Sequence, residues 1–297
     1  MFCLPKGIEP KELTRTIRKL SWDVSGILKS YNQIIETSEV FHRKLKILNQ
    51  NQDQDLVTSA DIEISELIKN RIIENYPHAN WSFLSEEDMK TNSNIEFKNE
   101  WVWIIDPIDG TKDFVNRTGE YAMHLALLYK KELIFAVVPL PSKDKLWIYQ
   151  KGKGTWCENI YSEITYAREI NSKTLKQSTL LTSKTHFHSD FKFLVDKLKP
   201  KNIKGMGSVG YKIAAMLRGE GDIYISYSLP NGSCPKDWDI AAPMALIKGA
   251  GGHFTDINGK DLEFLNKQSF EQNGILIASL NRNHQEICKV INNIVNN

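Results

Sequence analysis

Two aspartates lie three residues apart at the end of the segment WVWIIDPIDGTKDF, which covers residues 101–114. Asp106 and Asp109 follow an apolar run that predicts a buried strand, and Pro107 and Gly110 stand directly beside them. Carboxylates this close repel each other unless protons or cations offset their charge. Because proline fixes its own φ and glycine can adopt a positive φ, the chain can turn both aspartates toward one point.

Three further acids stand at the ends of predicted elements, namely Asp61, Glu86 and Asp239. Carboxylate oxygens are hard ligands, so a cluster of them suits Mg²⁺ or Mn²⁺ better than zinc, which prefers His or Cys. Each acid also has a simpler interpretation. The D-P-I-D-G segment is compatible with a solvated turn, Asp61 with a charge at a helix start, and Asp239 with an N-cap.

The composition is that of an ordinary soluble globular protein, with 41% hydrophobic and 25% charged residues. A formal net charge of +2 gives no reason to expect a nucleic-acid partner. We find no 18-residue apolar run and no secretory signal, so the sequence predicts neither a transmembrane helix nor export. The cysteines are far apart and favour reduced thiols in a cytoplasmic protein: Cys3, Cys157, Cys234 and Cys288.

Hydrophobic periodicity predicts a first helix over PKELTRTIRKLSWDVSGILKSYNQII, then a polar loop, then a helix from Ser59 to Asn75. Alternating segments after it predict short strands and hairpins, with turns at 130–132 and within QKGKGTW. Together they indicate an α+β N-terminal lobe over residues 1–170, carrying most of the candidate metal ligands.

After residue 170 the pattern changes to short strands alternating with helices, and the chain closes with a predicted helix in RNHQEICKVINNIVNN. The Asn258–Gly259 pair predicts the turn of a hairpin. We therefore predict an α/β C-terminal lobe over residues 171–297, carrying Asp239 and the substrate contacts.

The segment GMGSVG at 205–210 matches the G-x-G-x-x-G dinucleotide fingerprint. The preceding KLKPKNIK does not predict a strand, and no clear βαβ unit follows, so we do not expect a dinucleotide-binding oxidoreductase. The glycines can still bring backbone N–H groups, and the start of a predicted helix over 210–219, toward a phosphate.

Four blocks resemble, in order, the motifs of the inositol monophosphatase superfamily of metal-dependent, lithium-sensitive phosphomonoesterases. WIIDPIDGTKDF resembles its D-P-(I/L)-D-G-T signature, and DLVTSAD, FLSEED and WDIAAPMALIKGAGG resemble its other blocks. The blocks span residues 10–265. The resemblance implies a layered αβαβα sandwich with the active site between two lobes.

Within the superfamily, the chain is most similar to the 3'(2'),5'-bisphosphate nucleotidases of the CysQ type. Lys112 follows D-G-T as in those enzymes, and GSVGYKIAAMLRGE resembles their G-x-x-G-x-K-I block. WDIAAP and GGHFTDINGK match two further segments. Two positions depart from the pattern: Asp113 stands where glutamate is commoner, and Lys184 where an arginine is usual.

The resemblance also implies roles for individual residues. Glu86, Asp106 and the Ile108 carbonyl would hold one Mg²⁺, and Asp106, Asp109 and Asp239 a second, with two or three ions per site and Mn²⁺ as a substitute. Asp61, Glu86 and Thr111 would be the catalytic residues that activate water. The implied substrate contacts are Gly110, Thr111, Lys184, His186, Gly207, Ser208, Lys212 and Asp239.

The implied reaction is hydrolysis of the 3'-phosphate of adenosine 3',5'-bisphosphate to AMP and phosphate, in sulfur metabolism. The 3'-phosphosulfate relative of that nucleotide is a second candidate substrate. An inositol monophosphatase or a fructose-1,6-bisphosphatase-type sugar phosphatase remains an alternative, as does a catalytically silent metabolite-sensing regulator. The presence of all five acids and Thr111 disfavours the silent regulator. The sequence leaves monomer and homodimer open.

Overall fold

The computed structural model describes residues 4–45, 52–91, 97–184, 188–229, 232–266 and 270–296. The first layer consists of helices α1 (Pro10–Leu45) and α2 (Gln52–Asn75), which pack on a seven-stranded sheet. The strands lie in chain order, with β1 parallel to β2 and all later neighbours antiparallel. They are β1 (Trp81–Ser85), β2 (Trp101–Asp109), β3 (Ala122–Tyr129), β4 (Glu132–Leu140), β5 (Lys145–Gln150), β6 (Gly154–Asn159) and β7 (Ile164–Tyr166).

The short helices α3 (Glu86–Thr91) and α4 (Thr111–Val115) follow β1 and β2. The later elements are β8 (Thr179–Ser183), α5 (Ser189–Leu198), β9 (Asn202–Met206), α6 (Val209–Leu217), β10 (Ile223–Tyr227), α7 (Asp237–Gly249), β11 (His253–Asp256), β12 (Ile275–Ser279) and α8 (His284–Asn296). Their five strands form a second sheet with the order β11-β12-β10-β8-β9. Helices α6 and α7 lie between the two sheets, and α5 and α8 cover the outer face of the second.

Strand β2 explains why the segment before the two aspartates is so apolar. Trp103 and Ile105 pack against α1 and α2, whereas Val102 and Ile104 face the middle helices. A strand buried on both faces loses the usual polar alternation and becomes a continuous apolar run. The layers alternate helix, sheet, helix, sheet, helix, so the predicted αβαβα sandwich is confirmed.

The first helix, the hairpin turn at 130–132 and the C-terminal helix form as predicted. Helix α2 begins at Gln52, so the prediction of a loop before Ser59 was wrong. Residues 52–58 contain neither Gly nor Pro, and nothing in their composition prevents a helix from starting there.

The sequence did not predict a strand in KLKPKNIK, and this was also wrong. The end of the segment belongs to strand β9, which pairs parallel to β8. β9 is an exposed edge strand, and polar residues are common there because one face and one edge meet water. The sequence interpretation did not find β12, which lies between β10 and β11. The turn at Asn258–Gly259 forms, but the chain returns through a single bridge, Thr255 to Asp261, and not through a full strand.

No helix in the described ranges combines the length and apolar character needed to cross a bilayer. Cys157, Cys234 and Cys288 are buried free thiols. Cys3 lies outside the described residues.

His284 is a buried histidine at the start of α8. Its Nδ1 lies 2.8 Å from Ser279 Oγ, and its Nε2 lies 2.8 Å from Thr255 Oγ1. Burial, followed by the charge of the neighbouring His253, lowers the pKa of His284 to about 4. The ring is therefore neutral in the folded protein at pH 7.

We expect this histidine to make the folded state less stable in mild acid. In the unfolded chain the imidazole has its ordinary pKa of 6.5, so between pH 6.5 and 4 the unfolded state binds the extra proton. One proton changes the free energy of unfolding by at most ~1.4 kcal/mol per pH unit. His284→Gln should reduce the pH dependence of the urea midpoint over that window. The matched control is exposed His78→Gln, and an unchanged pH dependence in His284→Gln would contradict the prediction.

Candidate active site

The two aspartates of the D-P-I-D-G segment lie at a β-bulge at the end of β2. Asp106 pairs with His124 and Asp109 with Ala122, so β2 contains one residue more than β3 between these pairs. A bulge redirects side chains at the end of a strand. Gly110 then leaves the strand with a φ of 86°, a conformation that other residues rarely adopt.

Asp239 joins these aspartates from the first turn of α7. Each of the three, Asp106, Asp109 and Asp239, offers one carboxylate oxygen, and these oxygens lie within 4.8 Å of one another. Asp239 also accepts the backbone N–H of Lys236 at 2.5 Å, although Lys236 and not Asp239 is the N-cap. The helix-start role and the cluster role therefore hold together.

The cluster is buried and short of positive charge. Asp106 is 1% exposed, and its Oδ1 has no hydrogen-bond partner in the described part of the chain. Burial, followed by the nearby charges of Glu86 and Asp109, raises the pKa of Asp106 well above its usual value. Burial and Asp109 likewise raise the pKa of Asp239 to about 7. Buried carboxylates with an unused oxygen are a donor set that fits Mg²⁺ or Mn²⁺.

Asp109 differs from the other two aspartates because it is surrounded by donors. Burial opposes its charge, but the close approach of His124 and the hydroxyl of Ser208 lower the pKa of Asp109 to about 2. His124 Nε2 lies 3.0 Å from Asp109 Oδ2. Ser208 Oγ donates to the same oxygen, as does Gly210 N–H at 3.1 Å. This carboxylate is therefore held in its charged form.

The sequence predicted His124 as an interior histidine, and it is only 1% exposed. Its Nδ1 lies 3.2 Å from the carbonyl oxygen of Trp238, the residue before Asp239. The sequence interpretation missed its approach to Asp109. The register of β2 and β3 would have indicated this contact, because it places His124 opposite Asp106.

The other two predicted acids lie beside the cluster. Glu86 opens α3, and Lys90 Nζ is 3.2 Å from its Oε1 and 2.7 Å from Oε1 of the buried Glu87. Burial, with smaller contributions from Glu87 and Glu86, raises the pKa of Asp61 to about 8. Asp61 Oδ1 has no hydrogen bond among the described residues.

A cavity of about 500 Å³ opens at the cluster. One wall comes from the first sheet and α4, and the other from the ends of β8 and β10 and the start of α6. The volume is within the range of small-molecule sites. His186, a predicted contact, lies outside the described residues. The predicted residues that line the cavity are Glu86, Asp109, Gly110, Thr111, Lys184, Gly207, Ser208, Lys212 and Asp239.

The sequence model of the Inositol monophosphatase family matches residues 9–296. The chain belongs to this family. It is 26% identical to inositol monophosphatase 1 of Rattus norvegicus over 243 residues, which is 81% of this chain and 85% of the relative. It is 28% identical to the 3'(2'),5'-bisphosphate nucleotidase CysQ of Escherichia coli K12 over 228 residues, or 76% and 86%.

Among solved structures, inositol monophosphatase II from Staphylococcus aureus superposes with a TM-score of 0.71 at 20% identity, covering 93% of this chain and 94% of that one. The comparisons confirm the predicted family and fold, and they identify the protein as a phosphatase of this superfamily. The 26% and 28% identities are too similar to separate an inositol phosphate from a nucleotide substrate.

In this family member the hydroxyl of Thr111 donates to the carbonyl oxygen of Ile108 at 3.1 Å, so two predicted site residues contact each other. Lys212 is 2% exposed, and burial lowers its pKa to about 8. Its ammonium donates to the carbonyl oxygens of Met206, at 3.4 Å, and of Gly207.

The GMGSVG segment connects β9 to α6, and the side chain of Ser208 caps α6 by accepting the N–H of Tyr211 at 3.0 Å. A Cβ on Gly207 would lie 2.3 Å from Asp113 Oδ2 and 2.4 Å from the carbonyl oxygen of Glu120. Glycine is needed here because the turn before α6 lies close to α4 and to the segment before β3. The segment that matches a dinucleotide fingerprint instead helps to build the acidic site.

Asp106→Asn should stabilise the metal-free protein while removing its response to Mg²⁺. The amide fills the same space without adding charge to the cluster, so we expect a melting temperature a few degrees above wild type in EDTA at pH 8, since ~1 kcal/mol corresponds to roughly 2–4 °C in a larger domain. Addition of Mg²⁺ should then raise the melting temperature of wild type but not of the variant.

Thermal unfolding followed by circular dichroism, with and without Mg²⁺, measures both effects. Asp261→Asn, at an exposed carboxylate paired with Lys248, is the matched control and should behave as wild type. A variant that is destabilised in EDTA and still stabilised by Mg²⁺ would show that Asp106 is not a ligand.

Proposed function

We propose that this phosphatase uses Mg²⁺ to hydrolyse the 3'-phosphate of adenosine 3',5'-bisphosphate, releasing AMP and phosphate. The observation that supports it most is the position of the buried aspartate cluster at one end of a cavity of about 500 Å³ with lysines on its opposite wall. A bisphosphate needs a centre that reacts with one phosphate and a cationic region that receives the other.

The proposed ion ligands are Asp106, Asp109 and Asp239, together with Glu86 and the carbonyl oxygen of Ile108. Divalent ions held by these residues would supply Lewis-acid chemistry, binding phosphate oxygens, activating water and offsetting the charge on the leaving oxygen. The protein's contribution is the arrangement of the carboxylates. Three acids that repel each other are held in place by a strand of the first sheet and by helix α7, so little reorganisation is needed at the moment of reaction.

Two other residues are proposed to place the attacking water. Asp61 is buried and its Oδ1 has no hydrogen-bond partner among the described residues, so it can accept a hydrogen bond from a neighbouring hydroxyl or water. Thr111 lines the cavity directly after the bulge, and its hydroxyl can both donate and accept. We propose that Thr111 orients the water and that Asp61 accepts the proton from this pair. No covalent intermediate is required.

Thr111→Ala should lower kcat with little change in KM, because the contact to the water is made mainly in the transition state. General-base contributions are typically ~10²–10⁴-fold, and we expect a loss in that range. Thr111→Ser keeps the hydroxyl and is the matched control. Steady-state phosphate release measures both variants, and near-wild-type kcat in Thr111→Ala would remove this residue from the mechanism.

The second phosphate is proposed to bind on the wall formed by β8, β10 and α6. Lys184 and Lys212 line this wall, and Gly207 and Ser208 lie between them. We also propose His186 as a contact of the second phosphate. The similarity of the sequence to the bisphosphate nucleotidase CysQ of Escherichia coli K12 also supports the proposal.

Lys212→Ala tests whether Lys212 selects substrates that carry a second phosphate. A lost charge-assisted contact of ~1.5–3 kcal/mol corresponds to roughly ten- to a hundredfold in kcat/KM. We expect that loss for adenosine 3',5'-bisphosphate, mainly in KM, and almost none for 3'-AMP, which lacks the 5'-phosphate. Equal slowing of both substrates would show that Lys212 is not the selector.

An inositol monophosphatase or a sugar bisphosphatase is the second candidate, and the 26% identity to inositol monophosphatase 1 favours the former. Phosphate release from the adenosine bisphosphate, its phosphosulfate relative, inositol 1-phosphate and fructose 1,6-bisphosphate decides between them. The proposal requires the highest kcat/KM for an adenosine bisphosphate. A preference for inositol 1-phosphate would overturn it and leave the phosphatase chemistry intact.

A further inference from the structure

Glu120 lies in the segment between α4 and β3, beside the turn that connects β9 to α6. Its carboxylate oxygen Oε2 lies 2.6 Å from Lys184 Nζ, at the end of β8. The same oxygen accepts the N–H of Gly207 at 2.8 Å. The backbone carbonyl oxygen of Glu120 accepts the next N–H, that of Ser208, at 2.9 Å. One residue of the first half of the chain therefore holds two consecutive backbone groups of the second.

Lys184 has a second partner, since its ammonium lies 3.0 Å from Asp113 Oδ1. Asp113 also accepts the hydroxyl of Thr118 at 2.5 Å. Two carboxylates on one side of the junction thus share one lysine on the other. Lys184 therefore does more than line the cavity, because its ammonium also holds both carboxylates beside the Gly207–Ser208 turn.

The Gly207–Ser208 turn orients the carboxylate of Asp109. Ser208 Oγ and Gly210 N–H both donate to Asp109 Oδ2, and His124 Nε2 approaches the same oxygen. These donors fix the plane of the carboxylate and leave Oδ1 as the oxygen that they do not use. A shift of the Gly207–Ser208 turn would move two of the three groups around Oδ2 at once.

We propose that Glu120 is a positioning residue of the active site: paired with Lys184, its carboxylate fixes the Gly207–Ser208 turn that orients Asp109. This inference rests on the proposed function, because it acts through a carboxylate assigned to the metal site. Glu120 does not line the cavity, and its effect reaches the reaction only through the turn. Residues that orient metal ligands typically change metal affinity or activity by ~10–100-fold when they are lost.

Three variants separate the parts of this arrangement. Glu120→Ala removes both side-chain contacts, while Glu120→Gln keeps an oxygen that can accept the Gly207 N–H but loses the charge that attracts Lys184. Lys184→Met removes the ammonium and leaves the glutamate. Glu132→Ala is the matched control, because Glu132, at the start of β4, is also paired with a lysine, Lys151, at 2.5 Å, and neither residue lines the cavity.

The first measurement is Mn²⁺ affinity in the full-length protein without substrate, by electron paramagnetic resonance. We expect Glu120→Ala to bind Mn²⁺ about ten- to a hundredfold more weakly than wild type. The Mn²⁺ affinities of Glu120→Gln and Lys184→Met should lie between those of Glu120→Ala and wild type. The affinity of Glu132→Ala should match that of wild type. In steady-state phosphate release, Glu120→Ala should lower kcat by a similar factor and leave KM within about twofold.

Wild-type Mn²⁺ affinity and kcat in Glu120→Ala would overturn the proposal. So would a Glu120→Gln variant that loses as much as Glu120→Ala while both melt at a lower temperature, because the role would then be purely structural. The proposed function fails separately. If wild type releases no phosphate from adenosine 3',5'-bisphosphate but Glu120→Ala still weakens Mn²⁺ binding, the substrate assignment falls and the positioning role stands.

Discussion

Repulsion among three carboxylates is the constraint on which this structure depends. Asp106, Asp109 and Asp239 bring their oxygens within 4.8 Å of one another in a largely buried place. Two of the aspartates come from the end of a strand and the third from a helix between the sheets. Both elements must therefore be held in place against the repulsion. The scaffold must therefore be stiff where they meet. Strand β2 is buried on both faces, and α7 is packed between the two sheets.

The surroundings of the cluster divide its members into two kinds. Asp109 is provided with donors and stays charged, whereas Asp106 and Asp239 are left with raised pKa values and little positive charge nearby. This asymmetry arises from position. The start of α6 brings a hydroxyl and an N–H to Asp109, while Asp106 points into a region occupied by other acids. The three carboxylates of the cluster could hold a cation, which would offset their charge.

Much of the site could be predicted from the sequence because its strongest signals are local. An apolar run ending in D-P-I-D-G specifies a buried strand, a turn and two carboxylates within ten residues. The contacts of Glu120 and His124 could not be found in this way, since both depend on register and packing between segments up to 114 residues apart. Strand β9 was missed because an exposed edge strand can be polar, and β12 because a short apolar run has no period that distinguishes strand from helix.

The order of strands in the two sheets has a consequence for the course of folding. In the first sheet every strand pairs with its sequence neighbour, so its contacts are mostly local, and local contacts form fast. In the second sheet β12 must insert between β10 and β11, which needs the last part of the chain. During synthesis from the N-terminus, Asp106 and Asp109 can thus reach their strand long before Asp239 emerges. The acidic cluster can be completed only after α7 has been synthesised and has packed on the first sheet.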